Sequence, residues 1–133
     1  MSTNGLIIKI SQQDFETTYQ KLKGVLENNP NLKIMLELNH QANAAAAGLT
    51  LLPTKIILFG NPKLGTPLMQ SSQTVAIDLP QKIIVYQDAA GSVNVAYNDP
   101  LYLKERHGIS EKEEVLGKIA GALDKITTIA TTK

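Results

Sequence analysis

Polar side chains that could bind a ligand or transfer a proton lie in a few separate segments of this sequence. His40 carries an imidazole, which titrates near neutral pH and can act as an acid or a base. Asp78 lies between apolar neighbours, where a carboxylate must be paired or hydrogen-bonded, or its pKa rises. If folding brings these segments together, they form one ligand-binding site, whose candidate residues are His40, Asn61, Lys63, Gly65, Thr66, Asp78 and Tyr97.

The segment from Leu58 to Met69 carries the densest set of backbone signals in the chain. Two glycines and two prolines stand among the residues from Gly60 to Pro67. Glycine allows a positive φ or a close backbone approach, and proline suits the first turn of a helix. We therefore predict a loop and then a helix that begins near Pro67, whose free N–H groups can hold an anion. The alternative is a rigid turn whose glycines and prolines serve the backbone alone.

The spacing of Gly60 and Gly65 is that of a phosphate-binding P-loop, but the residues around them are not. A P-loop requires lysine and then serine or threonine directly after the second glycine. Thr66 and Pro67 stand there instead, and Lys63 lies inside the loop. The sequence therefore excludes a nucleotide site of the Walker A type.

The elements that must position these residues follow from hydrophobic periodicity. In the segment 32–38, Leu32, Ile34, Leu36 and Leu38 point one way and Lys33, Met35 and Glu37 the other, which predicts a strand with one buried face. The apolar run 54–59 instead predicts a strand covered on both faces. Further strands are predicted at 6–10, 82–88 and 92–97, and helices at 11–28, 39–48, 101–107 and after a capping box at Ser110. The segment 74–80 is either a short strand or the tail of a helix. This order predicts a single domain over residues 1–133 with an α+β fold, a two-layer sandwich with a mixed β-sheet packed against helices.

A short alanine-rich helix follows the second strand. Asn39 can cap its start, and Gly48 can close it in the left-handed conformation. One interpretation is a tightly packed connector. The other places His40, Gln41 and Asn43 at the end of a strand, beside a pocket.

Two further polar residues also have alternative interpretations. Asp78 either braces backbone amides or faces the same site as the loop. His107 comes directly before Gly108, where the predicted helix 101–107 stops, and a histidine favoured there by the helix dipole needs no catalytic role.

Composition excludes several classes of protein. The sequence has no cysteine, which excludes disulfides, thiol catalysis and cysteine-ligated metals, and its two histidines are too far apart to give a metal-ligand spacing. We therefore predict no metal and no cofactor. The net charge of +1 and the absence of tryptophan argue against a nucleic-acid partner. No apolar run is long enough to span a membrane, and the N-terminus does not resemble a signal peptide, so the expected location is the cytoplasm.

Four segments together carry a family resemblance. In chain order, residues 40–49, 59–69, 78–80 and 97–100 resemble the bacterial and archaeal family named domain of unknown function 302, and the resemblance covers roughly residues 6–130. Its most specific part is the block Gly-Asn-Pro-Lys-Leu-Gly-Thr-Pro from Gly60 to Pro67. The resemblance implies a compact two-layer α+β fold and a tendency to form homodimers. It implies no reaction and no catalytic residue.

Three classes of function remain, and whether the protein is an enzyme stays open. The favoured class is a homodimeric module that binds a small molecule, an anionic metabolite being one option, at the loop from Asn61 to Gly65. The second is a structural or partner-binding protein that dimerises through the alanine helix or a sheet edge. The third is a hydrolytic enzyme with His40 as general base, Asp78 orienting it, and water or Thr66 as nucleophile.

Overall fold

The computed structural model describes residues 4–133 and has five strands and five α-helices within that range. The strands are β1 (Leu6–Ile10), β2 (Lys33–Asn39), β3 (Thr54–Gly60), β4 (Gln81–Gln87) and β5 (Val93–Asn98). The helices are α1 (Phe15–Glu27), α2 (His40–Ala46), α3 (Pro62–Ser71), α4 (Pro100–His107) and α5 (Glu113–Thr131), and a 3₁₀ helix spans Gln73–Ile77. The expectation that no signal peptide is present rests partly on residues that lie outside the described range.

The α+β fold expected from the sequence is confirmed, but the sheet is antiparallel throughout rather than mixed. Its strand order is β1-β5-β4-β3-β2, and every neighbouring pair is antiparallel. The connection through α1 carries the chain from one edge of the sheet to the other, so β1 and β2 do not pair. The helix α2 is inserted into a β2–β3 hairpin, which is why these two strands run in opposite directions.

The core lies between one face of the sheet and the layer of α1, α3, α4 and α5. Ile57, Phe59, Ile83, Val85 and Val95 face this layer from the three central strands and are almost fully buried. The predicted core face of α1 is confirmed, because Tyr19, Leu22 and Leu26 are buried and Phe15 packs against them. The opposite face of the sheet is not covered by these helices.

A β-bulge changes which side chains of β2 face the core. Ile34 pairs with Phe59 on the core face, but after the irregularity Leu36 pairs with Leu58 and Leu38 with Ile56, on the opposite face. The prediction that Ile34, Leu36 and Leu38 share one buried face is therefore wrong, because one extra residue reverses the alternation. Glu37 consequently faces the helix layer, where it accepts a hydrogen bond from the Tyr19 hydroxyl.

The uncovered side of the sheet, here called the open face, is aliphatic across all five strands. Cross-strand pairing aligns Ile8, Ala96, Ile84, Ile56 and Leu38 in one row. Its outer positions are the most exposed, with Ile8 at 47% and Leu38 at 37% of their possible area. The prediction that β3 is covered on both faces is wrong within this chain, because Ile56 and Leu58 are only partly buried.

The short helix α2 begins and ends as the sequence predicts. The Asn39 side chain accepts a hydrogen bond from the Ala42 N–H, and Gly48 has a φ of 77°. The helix is not the tightly packed connector expected, because none of its residues is buried. Leu49 and Leu52, in the segment that follows it, are also exposed.

Two other helix starts differ from the sequence prediction. α1 begins at Phe15 rather than at residue 11, because Asp14 caps it and its carboxylate accepts a hydrogen bond from the Thr17 N–H. α5 begins at Glu113 and has no side-chain cap, so the expected capping box at Ser110 does not form. The Ser110 N–H instead donates to the Ser71 hydroxyl, which joins the start of this connection to the end of α3.

Candidate functional site

The predicted loop at Asn61–Gly65 is in fact the first turn of a helix with its cap. α3 begins at Pro62, and the Asn61 side chain caps it by accepting a hydrogen bond from the Lys63 N–H at 3.0 Å. Pro67 therefore lies inside the helix and not at its start. The sequence suggested a later start because Pro62 and Pro67 are both compatible with a first turn, and only the cap distinguishes them.

This geometry leaves little for an anion to bind at the start of α3. Pro62 has no N–H, and the Lys63 N–H donates to its own cap. The N–H groups of Leu64 and Gly65 both donate to the Asn61 carbonyl, each at 2.9 Å. An anion site at a helix N-terminus depends on N–H groups that the turn does not use. The turn therefore lacks the free N–H donors that the expected anion site requires.

The same turn instead forms one wall of an apolar cleft of about 590 Å³. Side chains of β2, β3, α3, α5 and the segment after the 3₁₀ helix surround it, mainly Met35, Leu36, Leu58, Leu64, Met69, Leu79, Ile119 and Leu123. Asn61, Thr66 and Gln81 supply the polar groups of its lining. This volume and this mostly apolar lining are typical of pockets that bind small molecules.

Gly65 stands at this wall in a helical position where glycine is costly. Its φ is not in the left-handed region, so the backbone does not require glycine there. Glycine inside a helix is less stable than alanine by about 1 kcal/mol. A Cβ at this position would point towards the Leu79 side chain, 3.7 Å from its Cδ1 atom. Glycine therefore keeps space free between α3 and the opposite wall of the cleft.

Three of the seven predicted site residues line the cleft, namely Asn61, Gly65 and Thr66. Lys63 is exposed on the surface of α3 and is not part of the lining. His40 lies elsewhere, because Asn39 pairs with Lys55 at one end of β3 whereas Gly60 is at the other. Five residue steps along a strand separate Lys55 from Gly60 by about 17 Å. The expectation that His40 stands beside the loop is therefore wrong.

Asp78 is also directed away from the loop, into a cluster with the end of α4. Its carboxylate accepts hydrogen bonds from Arg106 Nη1 at 3.0 and 3.1 Å and from His107 Nε2 at 2.6 Å. Both of the alternatives considered for Asp78 are wrong, since it neither braces backbone amides nor faces the loop. Its partners follow it by about thirty residues in the sequence, and no local pattern connects them.

His107 extends this cluster to a hydroxyl, since its Nδ1 atom lies 2.9 Å from Thr74 Oγ1. The order hydroxyl, imidazole, carboxylate is that of a hydrolytic triad. The Arg106 Nη1 atom, however, also donates to both oxygens of the Asp78 carboxylate, so the carboxylate is shared between two neighbouring residues of α4. The geometry favours a structural connection between α4 and the 3₁₀ helix.

Tyr97 is a core residue rather than a wall of the site. It lies on β5, pairs with Ile7 and Ile83, and is 3% exposed. Burial raises the pKa of its hydroxyl, and the hydrogen bond with Thr127 opposes that shift. Lys82, near the cleft but on the open face, has its pKa lowered by burial, against the attraction of the Asp78 charge.

Sequence reasoning missed the apolar residues that make up most of the cleft. Met35 and Leu36 reach it because of the bulge in β2, which no sequence pattern announces. Ile119 and Leu123 come from α5, and their helical spacing is equally that of an ordinary core face. Within residues 4–133, no group of three His, Asp or Glu side chains is placed to hold a metal ion.

The fold matches a solved structure closely. The crystal structure of an uncharacterized conserved protein DUF302 from Bacillus stearothermophilus superposes with a TM-score of 0.82, over 95% of this chain and 98% of that one. The two sequences are 17% identical, so this similarity supports the fold alone.

Curated relatives carry the name of an ion channel. The fluoride-specific ion channels FluC 1 of Brucella suis and FluC 1 of Brucella abortus are each 33% identical to this chain over 112 residues, which is 84% of it. The match covers only 44% and 41% of those proteins, so the chain spans less than half of their length. In the part of the chain that the structure describes, no helix is long and apolar enough to cross a membrane.

The family assignment agrees with the fold and with the block around α3. The model of the family described as domain of unknown function DUF302 matches residues 7–126, which is most of the chain. This range contains all five strands, except for the first residue of β1. This protein therefore belongs to the DUF302 family.

Proposed function

We propose that this protein binds an apolar small molecule in the cleft beside α3 and that it acts as a homodimer. The proposal of a small-molecule ligand rests on the cleft of about 590 Å³. Side chains such as Leu64, Met69 and Leu79 offer a ligand apolar contact on several sides, and Asn61, Thr66 and Gln81 can fix the orientation of a polar end. The cost of glycine at position 65 further supports a site that needs space.

The ligand proposed here differs in chemistry from the anion that the sequence suggested. The N–H groups at the start of α3 already donate within the turn, and Lys63 is not part of the lining. A fully charged ligand would lose its hydration among these side chains without an ionic partner. An aliphatic chain or ring with one hydroxyl or amide group fits this lining better.

Filling the cleft tests this proposal. Gly65→Leu would place a side chain in the ligand's space, whereas Gly65→Ala adds a single carbon at an ordinary contact distance from Leu79. We expect 1-decanol to raise the melting temperature of the wild-type protein and of Gly65→Ala, and to have little effect on Gly65→Leu.

A matched control separates this effect from a general effect on the helix. Gly117 is an exposed glycine of α5 with open space around it, so Gly117→Leu adds the same side chain away from the cleft. Gly117→Leu should respond to decanol as the wild-type protein does. If Gly65→Leu folds and responds equally, or if no variant responds, the cleft is not a binding site for such ligands.

The homodimer, which is also the partner-binding alternative, is supported by the open face. Seven aliphatic side chains on this face and in the segment after α2 are exposed to water, each at between 37% and 70% of its possible area: Ile8, Ile10, Leu36, Leu38, Leu49, Leu51 and Leu52. These side chains leave roughly 600 Å² of apolar area in contact with water, close to the ~800 Å² that each partner buries in a standard interface. An apolar area of this size is at the upper end of the patches that single chains expose, and such patches are often functional.

A second copy of the chain is the partner that fits this surface best. The aliphatic row crosses the whole sheet, so a two-fold axis through the face places the row of one copy against that of the other. Charged side chains, which would favour an oppositely charged partner, are sparse on the face, where Lys82 pairs with Leu58. Sedimentation at micromolar concentration that returns only single chains would contradict the homodimer.

A further inference from the structure

The cleft and the open face share part of their surface. Leu36 and Leu58 line the cleft, and they also pair with each other across β2 and β3 on the open face. Met35, at the bulge, adds a third side chain to the same rim and is exposed at 48% of its possible area. One side of the cleft therefore opens onto the surface that the proposed dimer would bury.

We infer that the second copy of the chain completes the rim of the cleft, so that ligand binding and dimerisation strengthen each other. This inference rests on the proposed function. In a single chain, a ligand that reaches Leu36 and Leu58 leaves part of its apolar surface in water. A partner seated on the open face removes that surface, together with the leucines, from water. The ligand in turn adds apolar contact for the partner.

The coupling must be reciprocal. If the dimer binds the ligand more tightly than the single chain by some factor, the ligand tightens the dimer by a related factor. Couplings between sites are commonly 5- to 150-fold in affinity. We expect decanol to bind roughly tenfold more weakly to the single chain than to the dimer, which is in the lower part of that range.

Ile8 is the position at which to separate the two copies without touching the cleft. It lies on β1, at the opposite edge of the sheet from β2, about 19 Å away across four strand spacings. It is 47% exposed, so Ile8→Lys buries no charge in the single chain. Ile129, on α5 and 39% exposed, provides a matched control, since Ile129→Lys makes the same change on the helix layer.

The experiment combines sedimentation with NMR titration. Sedimentation gives the fraction of dimer, with and without 1-decanol. The ¹H–¹⁵N signals of Gly65 and Thr66, which line the cleft, report decanol binding there and not on the open face. We expect the wild-type protein and Ile129→Lys to be dimers with one decanol affinity, and Ile8→Lys to be a single chain with roughly tenfold weaker affinity.

Each other outcome overturns a different statement. Equal decanol affinity in dimer and single chain contradicts the coupling but leaves the cleft as a binding site. A dimer that survives Ile8→Lys shows that the open face is not the interface, and the coupling falls with it. If decanol does not move the Gly65 and Thr66 signals in any protein, the proposed function itself is wrong.

Discussion

The pair Tyr19 and Glu37 joins α1 to the edge strand β2. The Tyr19 hydroxyl donates to Glu37 Oε1 at 2.5 Å, and Lys23 lies 3.3 Å from the other carboxylate oxygen. Lys55 completes the group from β3, with its Nζ atom 4.6 Å from the centre of the Tyr19 ring. These contacts exist because the bulge turns Glu37 towards the helix layer.

This pair predicts a pH window of stability. The hydrogen bond from Tyr19 lowers the pKa of Glu37 below its ordinary value of 4.5. The ionised Glu37 therefore contributes fully to the free energy of unfolding above pH 4.5, and this contribution is lost as the pH falls through the lowered pKa. Burial, and then the hydrogen bond to Glu37, raise the pKa of Tyr19 above its ordinary value of 10.0. That contribution is complete below pH 10.0 and is lost as the pH rises further.

Tyr19→Phe should therefore lower the free energy of unfolding by about 1 kcal/mol near pH 7, a value that allows for the partial exposure of Glu37. The difference from the wild-type protein should shrink below pH 4.5 and above pH 10.0. Urea unfolding across that range measures it. Tyr102→Phe, at a partly exposed tyrosine of α4, is the control and should show no such window. A difference that does not change with pH would contradict this account of the pair.

At the scale of elements, α3 carries an unusual proline. Pro67 lies in the helix interior, where its ring lacks the N–H that would bond to the Lys63 carbonyl four residues earlier. Proline in such a position is disfavoured by about 3 kcal/mol relative to alanine, although it also reduces the entropy of the unfolded chain. Pro62, at the first position of the same helix, has no such penalty.

The two prolines predict opposite effects of the same substitution. Pro67→Ala restores a helical hydrogen bond and should raise the free energy of unfolding by about 1–2 kcal/mol. Pro62→Ala should lower the free energy of unfolding by a few tenths of a kcal/mol, because its only effect is to increase the conformational entropy of the unfolded chain. Denaturant titration of both variants gives the comparison. A loss of stability in Pro67→Ala would mean that the ring makes packing contacts worth more than the missing hydrogen bond.

The existence of the elements could be predicted from the sequence, but their side-chain directions could only be predicted in part. The strands, the core face of α1 and the cap at Asn39 follow local rules of periodicity and capping, and they form as expected. The bulge in β2 depends on how that strand fits β3, so the side on which Leu36 and Glu37 lie could not be read from alternation. The first part of the segment 74–80 lies in the 3₁₀ helix Gln73–Ile77, which short apolar patterns do not distinguish from a strand.

The candidate site was harder to predict than the fold, because it depends on the whole molecule. Asn61, Gly65 and Thr66 lie together in one turn, so a local signal was enough to place them at the cleft. Asp78 and His40 were grouped with them by residue type alone. Their positions are set by α4 and by the length of β3, which connect residues far apart in the sequence.

The proposed homodimer also accounts for the exposed helix α2. The helix has seven residues and none is buried, whereas isolated helices shorter than about 12 residues are marginal in water. It follows the end of β2 that carries Leu38, and Leu49, Leu51 and Leu52 expose further apolar surface beside it. A second copy seated on the open face can extend onto these residues and supply the packing that α2 lacks within its own chain.

Hydrogen exchange of α2 should therefore depend on protein concentration. The amide of Ala44 should exchange slowly where the dimer predominates and much faster after dilution, or in Ile8→Lys, because separate chains leave the helix to its cap alone. The amide of Leu22 in α1 is the internal control, since its side chain is fully buried within one chain. Mass spectrometry of exchange at two concentrations makes the measurement. Equal protection of α2 at both concentrations, with a dimer present at the higher one, would show that the partner does not contact this helix.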